Sequence, residues 1–349
     1  MIVPFHKNVA HLERCLRAIH AALDGLGRSA ELIVVADGAV DDCSALVSEM
    51  DGTLLALPGP SGPAVARNRG AAAARGSVLL FIDSDVAIDQ TALGRLIATF
   101  KAEPEVAAVF GAYDEEPDDA AFISQARNLA HSFVHQRSRR EAQTFWAGLG
   151  AVRADAFTRV GGFDERFTRP SVEDIDLGYR LHGAGCRIVL EHTIRGKHLK
   201  RWSFWSGLRT DVFDRGIPWT QLLHRYATMQ NDLNVSWAYR ACVVVSYATV
   251  VLGAAAFWRP VLLWPVLVCL LALVALDWPY YAFFARQRGL WFTARWYPLH
   301  VLHHLTNGVS FVTGTCLFVL SRRAGLRWPG ALPAESWRGH PVSARGMAR

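Results

Sequence analysis

At 349 residues the chain is longer than one small domain and suits a mixed domain followed by a second unit. Its formal charge of +6 would suit a nucleic-acid partner, but the excess flanks apolar runs and crowds the C-terminal tail, so attraction to anionic lipid headgroups accounts for it and no nucleic acid is expected. Six cysteines, Cys15, Cys43, Cys186, Cys242, Cys269 and Cys316, have no paired spacing, which favours reduced thiols over a disulfide framework or a zinc site.

The opening Met1-Ile2-Val3-Pro4 has neither a basic region nor a long apolar core. A signal peptide is therefore not expected, and the N-terminal domain should stay on the side where it is made. Ile2-Val3 starts a sheet, and Leu12, Leu16, Ile19 and Leu23 recur at helical spacing. Residues 32–35 are a strand ending at Asp37, residues 42–49 a short helix, and residues 54–57 a third strand. A turn cluster over 58–63 precedes an alanine-rich helix over 64–74, and the buried strand 78–82 runs into Asp83-Ser84-Asp85. Strands alternating with helices predict an α/β fold, a mostly parallel sheet flanked by helices. Open sheets of that kind bind ligands at the carboxyl ends of their strands, where Asp37, Asp83 and Asp85 fall. No Gly-x-Gly-x-x-Gly sits between a strand and a helix, which disfavours a nicotinamide or flavin enzyme.

Asp83 and Asp85 are two carboxylates one residue apart after an apolar strand. Such a pair is either an exposed acidic turn or a site where one oxygen meets a divalent ion and another meets a ribose hydroxyl or a metal-bound water. Mg²⁺ and Mn²⁺ prefer oxygen ligands and bridge phosphates. Further along, His131 and His135 share a helix face and read as solvated, as do Arg137, Arg139 and Arg140. Phe145-Trp146-Ala147-Gly148 is either core packing or the wall of a ligand pocket, with Trp146 and Gly148 as the lining residues. Gly161-Gly162 is either a flexible turn or a backbone approach to substrate. Glu173-Asp174-Ile175-Asp176 opens a helix, where the dipole favours anions.

Five motifs then agree in order: Gly62-Pro63-Ala64-Val65-Ala66-Arg67-Asn68-Arg69-Gly70, Asp83-Ser84-Asp85, Gly161-Gly162-Phe163-Asp164-Glu165, Glu173-Asp174-Ile175-Asp176-Leu177, and Asp37 before them. Residues 1–200 thereby resemble the family 2 glycosyltransferases, inverting enzymes of the GT-A nucleotide-diphospho-sugar transferase fold. The resemblance implies that Pro4 and Asp37 lie around the nucleotide base and that Arg67 and Asn68 lie beside the base and diphosphate. It implies Asp83 and Asp85 as the metal motif, with Asp85 the direct ligand of Mn²⁺ or Mg²⁺, and His198 near the metal and diphosphate. Asp174 matches the catalytic base. The family usually shows two adjacent aspartates after the second strand; here Ala36 precedes Asp37.

Past this domain, residues 201–236 mix Trp202, Phe204, Trp205, Phe213 and Trp219 with arginines, a composition suited to helices lying in the headgroup layer. A membrane region is expected over 237–320. Residues 241–258 have no Asp, Glu, Lys or Arg and 260–285 have only Asp277, so a membrane hairpin with spans at 241–258 and 260–284 is expected. Arg209, Arg215, Arg225 and Arg240 precede it and Arg286, Arg288 and Arg295 follow it, which puts both clusters and the catalytic domain on the cytoplasmic face of the plasma membrane. Residues 296–320 lack charged residues of those types but hold His300, His303, His304 and Asn307, so an interfacial or re-entrant segment is expected, with the histidines at the interface rather than acting as ligands. A basic, disordered tail is expected over 321–349.

The functional expectation is transfer of a single sugar from a nucleotide-diphosphate-sugar donor to a lipid-linked or envelope glycan acceptor at the membrane. Processive polysaccharide synthases of the same superfamily carry Gln-x-x-Arg-Trp; Gln221-Leu222-Leu223-His224-Arg225-Tyr226 is one residue out of register and lacks the tryptophan. A non-catalytic adaptor predicts decay of the acidic positions, and Asp83, Asp85 and Asp174 are intact.

Overall fold

The structure is a computed structural model that describes residues 1–26, 30–39, 41–227 and 236–324. The tail expected over 321–349 lies almost wholly outside the described residues. The described chain divides into two compact units, the first covering Met1–Trp202 and the second beginning at Ser203.

The first unit runs β1 (Ile2–Phe5), α1 (Val9–Asp24), β2 (Ile33–Asp37), α2 (Ser44–Glu49), β3 (Thr53–Leu57), α3 (Pro63–Ala73), β4 (Val78–Ile82) and β5 (Val86–Ile88). It continues through α4 (Ala92–Ala102), β6 (Val106–Tyr113), α5 (Phe122–Arg137), β7 (Glu141–Ala142), β8 (Leu149–Arg153), α6 (Ala154–Arg159), α7 (Glu173–Gly183) and β9 (Arg187–His198). The strands form one sheet in the order β3-β2-β1-β4-β8-β6-β9-β5, with β7 paired to β9. The first four strands are parallel, each joined to the next by a crossover helix, and β6 pairs β9 in parallel as well. The remaining pairings, β4 with β8, β6 with β8, β5 with β9 and β7 with β9, are antiparallel. The sheet is thus mixed rather than mostly parallel. Its central strands are buried on both faces, which is why residues 33–36 and 79–82 read as continuous apolar runs. One core layer joins Leu12, Leu16 and Ile19 of α1 to Val34, Ile82 and Val109. The other packs Phe81, Phe157 and Phe163 beneath α3 and α7.

Two features aim the site. The chain turns sharply between β4 and β5, so Asp83 and Asp85 lie at a strand end. Helix α7 begins at Glu173, and a Cβ on its Gly178 would fall 2.4 Å from the Phe145 backbone nitrogen, so only glycine lets this helix lie against the segment leading to Trp146.

The second unit opens with α8 (Phe204–Arg209), a π-helical turn (Thr210–Gly216) and α9 (Ile217–Arg225). Trp205 and Phe213 are exposed. Then α10 (Trp237–Ala256) is long and apolar enough to cross a bilayer: twenty residues at the α-helical rise span roughly 30 Å. The second expected span does not form as one helix. After a 3-10 turn (Pro260–Leu262), α11 (Leu263–Leu276) ends at Asp277 and α12 (Trp278–Ala324) restarts, and Pro260–Leu276 and Trp278–Arg322 meet the length and polarity requirements only as a pair bent by 75°. Pro279 explains the restart, since proline has no N–H to continue the preceding helix but suits the first turn of a new one. Residues 296–320 are helical throughout within α12, whose one non-helical position is Gly289, at φ 83°. Val244, Val250 and Val251 of α10 and Trp264, Leu267, Val268 and Leu271 of α11 point outward, exposed.

Candidate functional site

The acidic motifs, distant in sequence, meet through one arginine. Arg67, on α3, is buried, and its guanidinium reaches two carboxylates: Nη2 donates to Asp83 Oδ1 at 2.7 Å and Nη1 to Glu173 Oε1 at 2.8 Å. Glu173 is itself buried and also accepts the Ser171 N–H at 2.9 Å, so it is fully committed. Asp174, the next residue, is only partly buried. Its Oδ1 accepts the Ile175 N–H at 2.8 Å, and its Oδ2 lies 3.3 Å from the Ala147 nitrogen. The Asp83 N–H donates to Gly148 O at 3.1 Å, so segment 146–148 lies between the two acidic motifs.

Burial works against the Arg67 charge, and the carboxylates of Asp83, Glu173 and Asp174 more than offset it, holding the guanidinium above its ordinary range. Burial raises the Asp83 carboxyl despite Arg67, and neighbouring Asp85 adds to the rise. Burial alone would raise Asp85 as well, but His198, with Lys200 and His11 behind it, brings that carboxyl below its usual range. The two neighbouring carboxyls are thus pushed in opposite directions, Asp83 up and Asp85 down.

Asp85 Oδ2 and His198 Nε2 lie 3.8 Å apart, and His198 stacks on Tyr113 with ring centroids 4.4 Å apart. A carboxylate oxygen and an imidazole nitrogen so placed are donor types that a divalent transition-metal ion accepts. Asp83, turned to Arg67, stands beside that pair.

The other expected site residues divide. Pro4 pairs with Val35 inside the sheet. Asp37 is buried, and its carboxylate accepts the N–H groups of Ser61 at 2.6 Å and Gly62 at 2.8 Å, fastening the loop before α3. Gly62 there has φ 97°, and a Cβ would strike the Thr168 backbone at 2.6 Å. Asn68 Nδ2 donates to Phe163 O at 2.9 Å and its Oδ1 accepts the Phe163 N–H at 2.9 Å, so it pins the Gly161-Gly162 turn. Trp146 covers Gly148, whose added Cβ would lie 2.5 Å from the indole ring, and Tyr113 packs on Trp146 edge to face with ring centroids 4.7 Å apart.

Sequence reasoning missed several members. His131 and His135 are not a solvated face: His135 is buried, and both rings pack on Trp146 at 5.7 and 5.3 Å. Arg140 is paired with Glu103 and Glu191. Arg180 joins buried Asp176 at 2.8 Å and donates to Val160 O at 2.7 Å and Gly162 O at 2.6 Å, holding the glycine turn from the far side. The Asp176/Arg180 spacing of one helical turn was the available signal. All six cysteines are free.

The family model described as Glycosyl transferase family 2 matches residues 1–167. A pre-mycofactocin glycosyltransferase of Mycobacterium tuberculosis is 30% identical over 206 residues, 55% of this chain and 40% of that protein. A validoxylamine A glucosyltransferase of Streptomyces hygroscopicus subsp. jinggangensis is 27% identical over 217 residues, 53% of this chain and 51% of that protein. The chain thus spans about half or less of these relatives' length. Among solved structures, a mannosyltransferase of Pyrobaculum calidifontis, in complex with GDP-Man and Mn²⁺, superposes with a TM-score of 0.53 at 16% identity, covering 92% of this chain and 87% of that one. That likeness is one of fold.

Proposed function

We propose, from the match of residues 1–167 to the glycosyl transferase family 2 model, that the chain moves a single sugar from a nucleoside-diphosphate-sugar to a membrane-proximal, lipid-linked acceptor, with inversion at the anomeric carbon. The observation that carries the reading is the Arg67 bridge between Asp83 and Glu173, which ties the end of β4 to the start of α7, where Asp174 sits. Glu173 is buried against Arg67, whereas Asp174 is only partly buried, and it is the carboxylate assigned to the acceptor.

In this reading Asp174 takes the proton of the acceptor hydroxyl as its oxygen attacks the anomeric carbon from the face opposite the diphosphate. The new C–O bond forms as the bond to the diphosphate breaks, and the electron pair leaves on the phosphate oxygen. Asp85 and His198, with Asp83 adjacent, would hold a divalent cation, of the kind found with the Pyrobaculum mannosyltransferase. When bound, the ion supplies positive charge against the departing diphosphate. Trp146 and Gly148 line the sugar pocket, and Asp37 and Asn68 support it by fixing the loops around 61–62 and 161–163. The exposed apolar side chains of α10 and α11 support a membrane setting for the second unit, and the arginines that flank these helices in the sequence support the cytoplasmic side for the first. Single transfer is favoured over processive synthesis because the synthase motif is out of register at Gln221, a residue buried within its own unit.

The test is transfer, or donor hydrolysis, by the full chain with Asp174→Asn and Asp85→Ala. Losing the base should cut kcat by about 10²–10⁴ with little change in donor affinity. Losing Asp85 should weaken metal-dependent donor binding. Turnover like the wild type in both variants would remove the mechanism.

A further inference from the structure

In the second unit a different set of side chains converges. Asp277 lies at the bend between α11 and α12, and His300 and His304 are one helical turn apart on α12. One ligand atom from each lies within 4.8 Å of the other two. His300 Nε2 is 3.9 Å from Asp277 Oδ2, and its Nδ1 is 2.9 Å from the Tyr281 hydroxyl. Tyr280 stacks on the His300 ring at 4.2 Å and itself accepts the Trp296 indole N–H at 2.8 Å, so the ring is held on several sides. His304 is the anomaly. It is 1% exposed, its ring lies 4.4 Å from that of His300, and among the described residues neither ring nitrogen has a hydrogen-bond partner.

A buried Asp-His pair would serve as a simple fastener between the two helices, but it would leave His304 with two orphaned nitrogens in an apolar setting, which folded proteins avoid. We propose that Asp277, His300 and His304 bind one first-row transition-metal cation of the Zn²⁺ class. One carboxylate and two imidazoles suit such an ion better than Mg²⁺ or Ca²⁺, which favour all-oxygen shells. Two histidines four residues apart on one helix are a recurring ligand pair. Metal–ligand bonds of about 2.0–2.1 Å in a tetrahedron put ligand atoms about 3.3 Å apart, so the present arrangement is preassembled and closes slightly on the ion. With Nε2 of His300 on the metal, its Nδ1–H donates to Tyr281, which fixes the ring orientation. Three protein ligands leave a position open, and the ion ties the α11 end to α12 across the 75° bend. This site is separate from that of Asp85 and does not rest on the transfer reading.

The experiment uses the full chain in detergent, stripped with a chelator and titrated with Zn²⁺, with Co²⁺ as a visible probe. One high-affinity equivalent is expected that survives Asp85→Ala. His304→Gln and Asp277→Asn should each weaken it at least about 100-fold, and Tyr281→Phe by about 10-fold with stoichiometry unchanged. The Co²⁺ ligand-field bands should change in the first two variants, and Zn²⁺ should raise the melting temperature of the wild type but not of these two. His304→Gln keeps a polar side chain of similar size, and circular dichroism verifies its fold. Binding of equal strength in wild type, His304→Gln and Asp277→Asn would overturn the proposal, as would a wild type that binds nothing beyond what Asp85→Ala removes.

Discussion

Arg67 is the residue on which the acidic cluster turns. Its planar fork meets two carboxylates from elements that the chain separates by about a hundred positions, and a lysine has one point charge to offer both. Replacing it with methionine leaves Glu173 buried without a counter-charge. Arg67→Met should therefore cost about 3–5 kcal/mol in urea unfolding. Adding Glu173→Gln should restore part of that loss, because the uncompensated charge is then gone. A single variant as stable as the wild type would mean that the bridge contributes nothing to the fold. The sequence points to Arg67 through its motif, but as a neighbour of the nucleotide. The ion pair depends on how α3 lies against the start of α7, which no local pattern records.

At the scale of elements, α7 is the lever that sets Asp174. Its acidic first turn suits the positive end of the helix dipole, and Asp176 with Arg180 clamps it to the glycine turn. Close approach at Gly178 does the rest. Gly178→Ala puts a methyl 2.4–2.6 Å from the backbone of Thr144 and Phe145, so the helix must move. Overpacking of this kind typically costs about 1–3 kcal/mol. The expected readout is a lower melting temperature together with a fall in kcat larger than any change in KM for the donor, since Asp174 rides on the helix. A variant with lower stability but unchanged kcat would separate α7 position from catalysis.

For the molecule as a whole, the two units differ in kind. The first buries its apolar residues within a sheet and helices, whereas the second presents valines, leucines and tryptophans outward along α10 and α11. Apolar side chains exposed along two helices call for a cover, and the proposed membrane setting would supply hydrocarbon as that cover. Membranes from cells expressing the full chain should retain it through alkaline carbonate washing and release it in detergent. Recovery in the carbonate supernatant would show that another protein surface, not the bilayer, covers these helices.

Much of the first unit is legible in the chain. The alternation of strands and helices up to Ile82, the carboxylates at the end of β4 and the acidic start of α7 follow from local rules, because apolar periodicity and turn residues act over a few positions. The family resemblance rests on those same short motifs. Tertiary structure alone decided the antiparallel half of the sheet, since strand direction depends on which distant segment offers a free edge. It also decided that Asp37 and Asn68 hold loops, that His131 and His135 pack on Trp146, and that His300 and His304 are buried beside Asp277. The common physical reason is that a polar side chain's role is set by its desolvated neighbours, and those come from parts of the chain that only folding brings together.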